Sequence, residues 1–426
     1  MRVLFLSHRL PYPPHKGEKI RALNVLKFLA RRHEIYLGCL IDDPRDLPHV
    51  AHLSSYVHGL IFERIHPGLR RALALPAVLG SRSITVTCFY SRRLQRRLDD
   101  LIERERIEAV FCSSSPMAEY LFRSRHSERL RSVTRVMDLI DVDSFKWAQY
   151  ARESPPWSAW IYRHEARHLA AFEQRIAREF DHVLVVSEQE KRYFPAGTCP
   201  AKLSAVLNGV DLQFFSPDYS GRATRPGPTL VFTGAMDYRP NVDGIRWFVD
   251  RVLPRVQSAV PDVQLYVVGN RPTKDVRRLG RRAGVVVTGF VEDVRDYLAA
   301  ASVCIAPLRI ARGIQNKILE AMAMGRAVIA TREAFEGISA EPQRDLVVAD
   351  GEGEFAAAAV ALLRDRQRAE QIGRNARVCV ERRHSWGENL RLLQELFPAS
   401  DAGPSSAAAH PGALTLAPVG SALGGA

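Results

Sequence analysis

The stretch Ser302–Thr331, SVCIAPLRIARGIQNKILEAMAMGRAVIAT, leaves few folds open. Val303–Ala306 is a short β-leaning apolar run, Pro307–Gly313 is a loop carrying Arg309 and Arg312, and Gln315–Met324 is built of good helix formers that stop at Gly325. Ala327–Ala330 is a second apolar run, so the unit reads as a buried βαβ crossover of a parallel sheet. Residues three and four apart on a helix are neighbours, so Asn316, Lys317 and Glu320 share one side while Ile318 and Met322 point elsewhere. A polar side on a helix between two apolar strands needs a reason.

One reason is a nucleotide. Open α/β sheets bind ligands at the carboxyl ends of their strands, where a loop and a helix N-terminus offer N–H groups and a positive dipole end. Gly313 lets the backbone approach a diphosphate, Arg312 and Lys317 neutralise it, and Glu320 can accept two ribose hydroxyls. A solvated helix face with an i,i+3 ion pair has the same spacing.

A chain of 426 residues is too long for one ordinary core, and two domains are expected. Hydrophobic content of 46% with 25% charged residues is that of a soluble globular protein. The net charge is +13, most of it in the first 200 residues, which suits nucleic acid, anionic lipid or phosphorylated substrates without choosing among them. Six widely spaced cysteines without a Cys-x-x-Cys pair argue against structural zinc and against a disulfide framework. The opening MRVLFLSHRL has too short an apolar run for a signal peptide, and no 18-residue uncharged apolar span occurs, so a cytoplasmic or membrane-surface protein is expected.

Val3–Leu6 reads as the first buried strand, followed by a Pro- and Gly-rich loop with Gly17, a helix over about Glu18–Arg32 and a second strand at His33–Leu40. Two basic, partly amphipathic segments lie between residues 66 and 108 and read as solvated helix faces or as contacts to anionic membrane. Ala109–Cys112 and Val133–Leu139 are further strands, and Asp138, Asp141 and Asp143 crowd the carboxyl end of the second. Carboxylates there can bind metal, act as base toward an acceptor hydroxyl, or cap the next helix. Asp138 and Asp141 are the best acidic candidates. After a Trp-rich helical region and a strand ending at Ser187, Asn208-Gly209 marks a turn and SGRATRPGP a linker. Alternation then resumes at Leu230–Thr233, with a helix from Ile245 and strands at Gln264–Gly269 and Val285–Thr288. Ser385–Leu396 has helical spacing, and residues 400–426 are compositionally disordered.

These segments together resemble glycosyltransferase family 4, retaining enzymes of the GT-B fold. Glu320 with Ala321, Met322, Ala323 and Gly325 matches the second Glu of the family's donor-site pattern and its tail, the residue used on the ribose. Arg312 stands where the first Glu is usual, and Gly313, Lys317, Leu319 and Glu320 fit a subset with Gly-x-x-x-Lys-x-Leu-Glu-Ala-Met. Gly17 keeps half of the usual Gly-Gly of the first loop, which faces the donor diphosphate. Gly234 falls in the second Gly loop, Arg239, Arg271 and Lys317 compete as phosphate ligands, and Phe290-Val291 matches the segment that lies against the base. Asp141 falls on the Asp of a His-Asp strand end and Ile140 on its His.

The resemblance implies two Rossmann-like α/β domains facing across a cleft. Residues 1–205 would be the acceptor-binding domain and 206–384 the nucleotide-sugar domain, with 385–399 a helix crossing back to the first. PYPPHKGEKIR, MDLIDVDSFKW and ARGIQNKILEAMAMG are similar to a bacterial exopolysaccharide- and exosortase-associated group. Transfer of a sugar from a nucleotide-sugar donor to a glycan or lipid-linked acceptor is then expected, without cofactor or catalytic metal, with Lys317 stabilising the leaving diphosphate. A GT-B-shaped nucleotide-sugar 2-epimerase and a non-catalytic glycan- or membrane-binding member compete with it. Nucleic-acid binding is disfavoured by the alternation of buried strands and helices with a Glu-centred ribose site, because phosphate-tracking proteins show basic stripes with aromatics.

Overall fold

The computed structural model describes residues 1–14, 16–74, 80, 82–194, 202–221, 227–311 and 313–398. The expectation for residues 400–426 lies outside the described residues. The chain divides into two compact units. The first comprises Met1–Val185, Glu190–Ala205 and the segment from Leu390; the second comprises Val186–Gln189 and Val206–Asn389.

The first unit holds strands β1 (Arg2–Ser7), β2 (Glu34–Ile41), β3 (Gly59–Arg64), β4 (Ala109–Ser113), β5 (Thr134–Ile140), β6 (His182–Val185) and β7 (Leu203–Ala205). They form one sheet in the order β3-β2-β1-β4-β5-β6-β7, every neighbouring pair parallel. β1, RVLFLS, is buried from Val3 to Ser7, which is why it reads as a continuous apolar run. β3 escaped the sequence reading because it is an edge strand, half-buried along most of its length, with too little apolar contrast to stand out.

The second unit holds β8 (Thr229–Thr233), β9 (Gln264–Val268), β10 (Val285–Gly289), β11 (Val303–Ala306), β12 (Val328–Ala330) and β13 (Val347–Val348). Their order is β10-β9-β8-β11-β12-β13, again all parallel. The crossover expected over Ser302–Thr331 is present as β11, the helix Asn316–Ala323 and β12. Two parallel sheets, each with its own helices and core, are the α/β class expected from the sequence.

Some boundaries differ for physical reasons. The helix expected from Ile245 begins at Arg239, with Pro240 in its first turn, where a missing N–H costs nothing. Ser385–Leu396 is broken into Trp386–Asn389 and Leu392–Leu396, and Phe397 after it lies 6.3 Å from the Phe111 ring of β4. The amphipathic helix Arg92–Glu105 turns Leu94, Leu98, Leu101 and Ile102 into the first unit's core. Its outward residues are charged, as the solvated-face reading expects. No helix among the described residues is long and apolar enough to cross a membrane.

Candidate functional site

Each sheet reverses its direction of growth once, and an open parallel sheet offers its crevice at that reversal, beyond the strand carboxyl ends. In the second unit it lies between β8 and β11. Gly234 directly follows β8 and Gly269 directly follows β9, and a Cβ on Gly269 would stand 1.7 Å from the Gly234 carbonyl oxygen. Only glycine permits that approach, which bonds from Gly234 N–H to Val268 O (3.0 Å) and Met236 N–H to Asn270 O (2.9 Å) hold in place.

Lys317 comes to the same point. A Cβ on Gly234 would lie 3.2 Å from Lys317 Nζ and 2.7 Å from Asn241 Nδ2. Lys317 Nζ donates to Asn241 Oδ1 at 2.5 Å and stands 4.5 Å from the centre of the Phe232 ring of β8. Asn241 Nδ2 in turn donates to Ala235 O at 2.9 Å, which fixes its amide with the oxygen toward the lysine. Asn241 was missed from sequence because it sat in a segment read as loop. Pro240 beside it was the available helix-start signal.

The position is unusual for a cation. Lys317 lies in the first turn of Asn316–Ala323, at the positive dipole end, and the N-cap Gln315 makes no side-chain cap bond. Burial pushes the Lys317 ammonium down to about 7, with Glu320 pulling it back up. Burial likewise pushes the Glu320 carboxyl up to about 7, opposed by Lys317. Lysine, helix N-terminus and glycine backbone converge on a place suited to an anion, with a carboxylate beside it.

The other expected residues are spread around this point. Gly313 has φ 61° and its carbonyl accepts from Gln315 Nε2 at 3.2 Å. Arg312 lies outside the described residues. Arg239 is exposed at the start of its helix. Arg271, with φ 52°, is exposed and pairs with Asp237 at 3.6 Å, so of the three competing bases only Lys317 is set against Gly234. Phe290 follows β10 and is 76% exposed, while Val291 packs on the core.

In the first unit the expected acids part company. Asp138 is fully buried and accepts two hydrogen bonds from Arg21, so the expectation that it acts on an acceptor is corrected: the guanidinium holds both its oxygens. Asp141 is half-buried just past β5. The intervening Ile140 has φ 70°, and the β5–β6 register shifts between Asp138 and Ile140. A β-branched residue there costs about 1–2 kcal/mol, strain of a kind that collects at functional sites. Gly17 is exposed at the first position of the helix Gly17–Ala30.

Residues 227–365 match the family model described as glycosyl transferases group 1. A Klebsiella pneumoniae protein named "Uncharacterized 44.6 kDa protein in cps region" is 19% identical over 370 residues, covering 83% of this chain and 89% of that one. Sucrose-phosphate synthase from Thermosynechococcus elongatus superposes with a TM-score of 0.69 at 18% identity, over 94% of this chain and 100% of that one. Anabaena Alr3699/HepE, solved in complex with UDP and glucose, gives 0.65 at 14% identity, over 93% and 99%. At these identities the structural likeness establishes the fold.

Proposed function

We propose that this chain, whose residues 227–365 form a group 1 glycosyl transferase domain, moves a sugar from a nucleotide-sugar donor to an acceptor hydroxyl with retention at the anomeric carbon. The observation that carries the reading is Lys317, desolvated at a helix N-terminus against the Gly234 backbone, with Glu320 one turn on. In the reaction the bond from the anomeric carbon to the diphosphate oxygen breaks as the bond to the acceptor oxygen forms. The acceptor proton leaves with the diphosphate. Negative charge grows on that diphosphate, where a fixed ammonium and helix N–H groups stabilise it more than they stabilise the bound donor. Glu320 accepts from the ribose hydroxyls, Phe290 stacks on the base, and the first unit takes the acceptor with Asp141 at its strand edge. The nucleotide sugar is substrate, and the reaction needs no cofactor.

The HepE complex with UDP and glucose and the cps-region relative support a nucleotide-diphosphate donor and a role in exopolysaccharide or other cell-surface glycan synthesis. A place on the inner face of the cell membrane fits the helix Pro156–Glu179. Trp157 and Trp160 are 77% and 48% exposed near its start, and Arg163, Arg167 and Arg178 are exposed along its length.

The test is a thermal-shift panel of UDP, GDP, ADP and dTDP and their sugars against wild type and Glu320→Ala. One nucleotide should stabilise the wild type and lose that effect in the variant. No shift with any of them at millimolar concentration would refute the reading.

A further inference from the structure

The first unit has its own reversal point, between β1 and β4, and it gathers buried polar groups with no partner. Ser7 pairs in register with Ser113, so His8 and Ser114 are the first residues past two adjacent strand ends. Among the described residues, His8 Nδ1, Ser113 Oγ and Ser115 Oγ are buried without a hydrogen-bond partner, and Ser114 between the two serines has φ 81°. Orphaned buried polar atoms are rare in folded proteins and call for a ligand, a water or a catalytic use.

The protonation of His8 follows from its neighbour. Arg9 Nη1 lies 3.4 Å from His8 Nε2, and a guanidinium has only hydrogens to offer, so Nε2 is the acceptor and Nδ1 carries the proton. Arg9 is itself held by Glu18 and Asp42, each at 2.7 Å. The ring edge packs on Phe89 at 5.4 Å between centres. The charged groups that act on it are Arg9, Glu18 of the first helix, Asp42 past β2 and Asp143 past β5. Burial and Arg9 push its pKa down to about 4 against the pull of the three carboxylates, so the ring is neutral at pH 7.

We propose that this crevice is a sugar-hydroxyl subsite of the acceptor, in which His8 Nδ1–H donates to a hydroxyl oxygen. Arg9 is paired with Glu18 and Asp42, and Asp143 is paired with Lys146, which disfavours a phosphate there and favours a neutral ligand whose hydroxyls can also donate. The inference rests on the transferase reading for its reaction, but not for its tautomer or for sugar binding.

The experiment therefore has two arms. In 15N-histidine-labelled protein, with His8→Asn used to assign the signal, His8 should show the Nδ1–H tautomer at pH 7 and shift on titration with n-octyl glycosides. An Nε2–H tautomer, or no shift with any glycoside, overturns the proposal whatever the enzyme's activity. In the second arm the donor found by the thermal panel is used with the same glycosides. His8→Asn keeps an amide N–H near the Nδ1 position and should hold acceptor KM within about three-fold, whereas His8→Gln and His8→Phe should raise it about ten-fold or more. Donor KM and the melting temperature should not move. Equal losses in all three variants, or losses that track stability, reduce His8 to a packing residue and overturn the proposal, while failure of the wild type to bind nucleotide counts against the transferase reading alone.

Discussion

Arg21 and Asp138 meet through two parallel hydrogen bonds, Nε to Oδ2 at 2.7 Å and Nη2 to Oδ1 at 2.9 Å, with both side chains almost wholly out of solvent. The pair ties the helix Gly17–Ala30 to β5. It therefore fixes the helix that carries Gly17 relative to the strand whose end presents Asp141.

Removing one member leaves a buried charge unpaired. Asp138→Ala should destabilise the protein by about 3–5 kcal/mol in urea titrations while nucleotide affinity of the folded protein stays unchanged. Lost transfer with full stability would return Asp138 to the chemistry.

Phe290 is so exposed that its truncation should leave stability within about 0.5 kcal/mol. If its ring stacks on a base, Phe290→Ala weakens nucleotide binding by about 1–3 kcal/mol, ten-fold or more in Kd by calorimetry. An unchanged Kd removes it from the site.

Lys317 makes donor binding depend on pH. Its pKa is about 7 in the free protein, so at pH 8 it is largely neutral, and a bound diphosphate favours the ammonium. Binding should take up protons at pH 8, seen as a buffer-dependent enthalpy. Affinity should fall as pH rises from 7 toward about 10, the ordinary lysine range. Lys317→Ala abolishes the uptake and should cost about 10²–10³-fold in kcat/KM; proton uptake that persists in the variant assigns it elsewhere.

Glu173 of the helix Pro156–Glu179 supplies a stability signature. Burial pushes its carboxyl up to about 8, against hydrogen bonds from Ser144. Its folded pKa exceeds the unfolded value of about 4.3, so the folded state holds the extra proton between them. The stability that the proton gives is full below about pH 4.3 and is lost as pH rises through about 8. Glu173→Gln should flatten the melting-temperature profile across that window, and an unchanged profile would show that Glu173 is ionised throughout.

How much of this was legible beforehand varies residue by residue. β1, β4 and β11 are buried on both faces, so their composition alone announces them, and the crossover built on Asn316–Ala323 follows from two apolar runs about a helix. Lys317 and Glu320 were legible because a polar side on a buried crossover helix conflicts with its surroundings. Arg239 and Arg271, equally basic, could not be separated from Lys317 by spacing, since only the approach of β8 to the crossover helix puts one cation against Gly234.

Local sequence determines what is periodic or composed: strands, helices, the parallel order of βαβ units, and the residue types able to meet a diphosphate. Tertiary structure decided what depends on distant partners. Asp138 looked like a catalytic acid until Arg21, 117 positions away, occupied both its oxygens. Asn241 and His8 had no signal of their own, because one acquires its role from Lys317 and the other from the arginine and strand ends around it. Burial and charge pairing are properties of neighbours in space, so the chain's order names the candidates and only its folding distributes their roles.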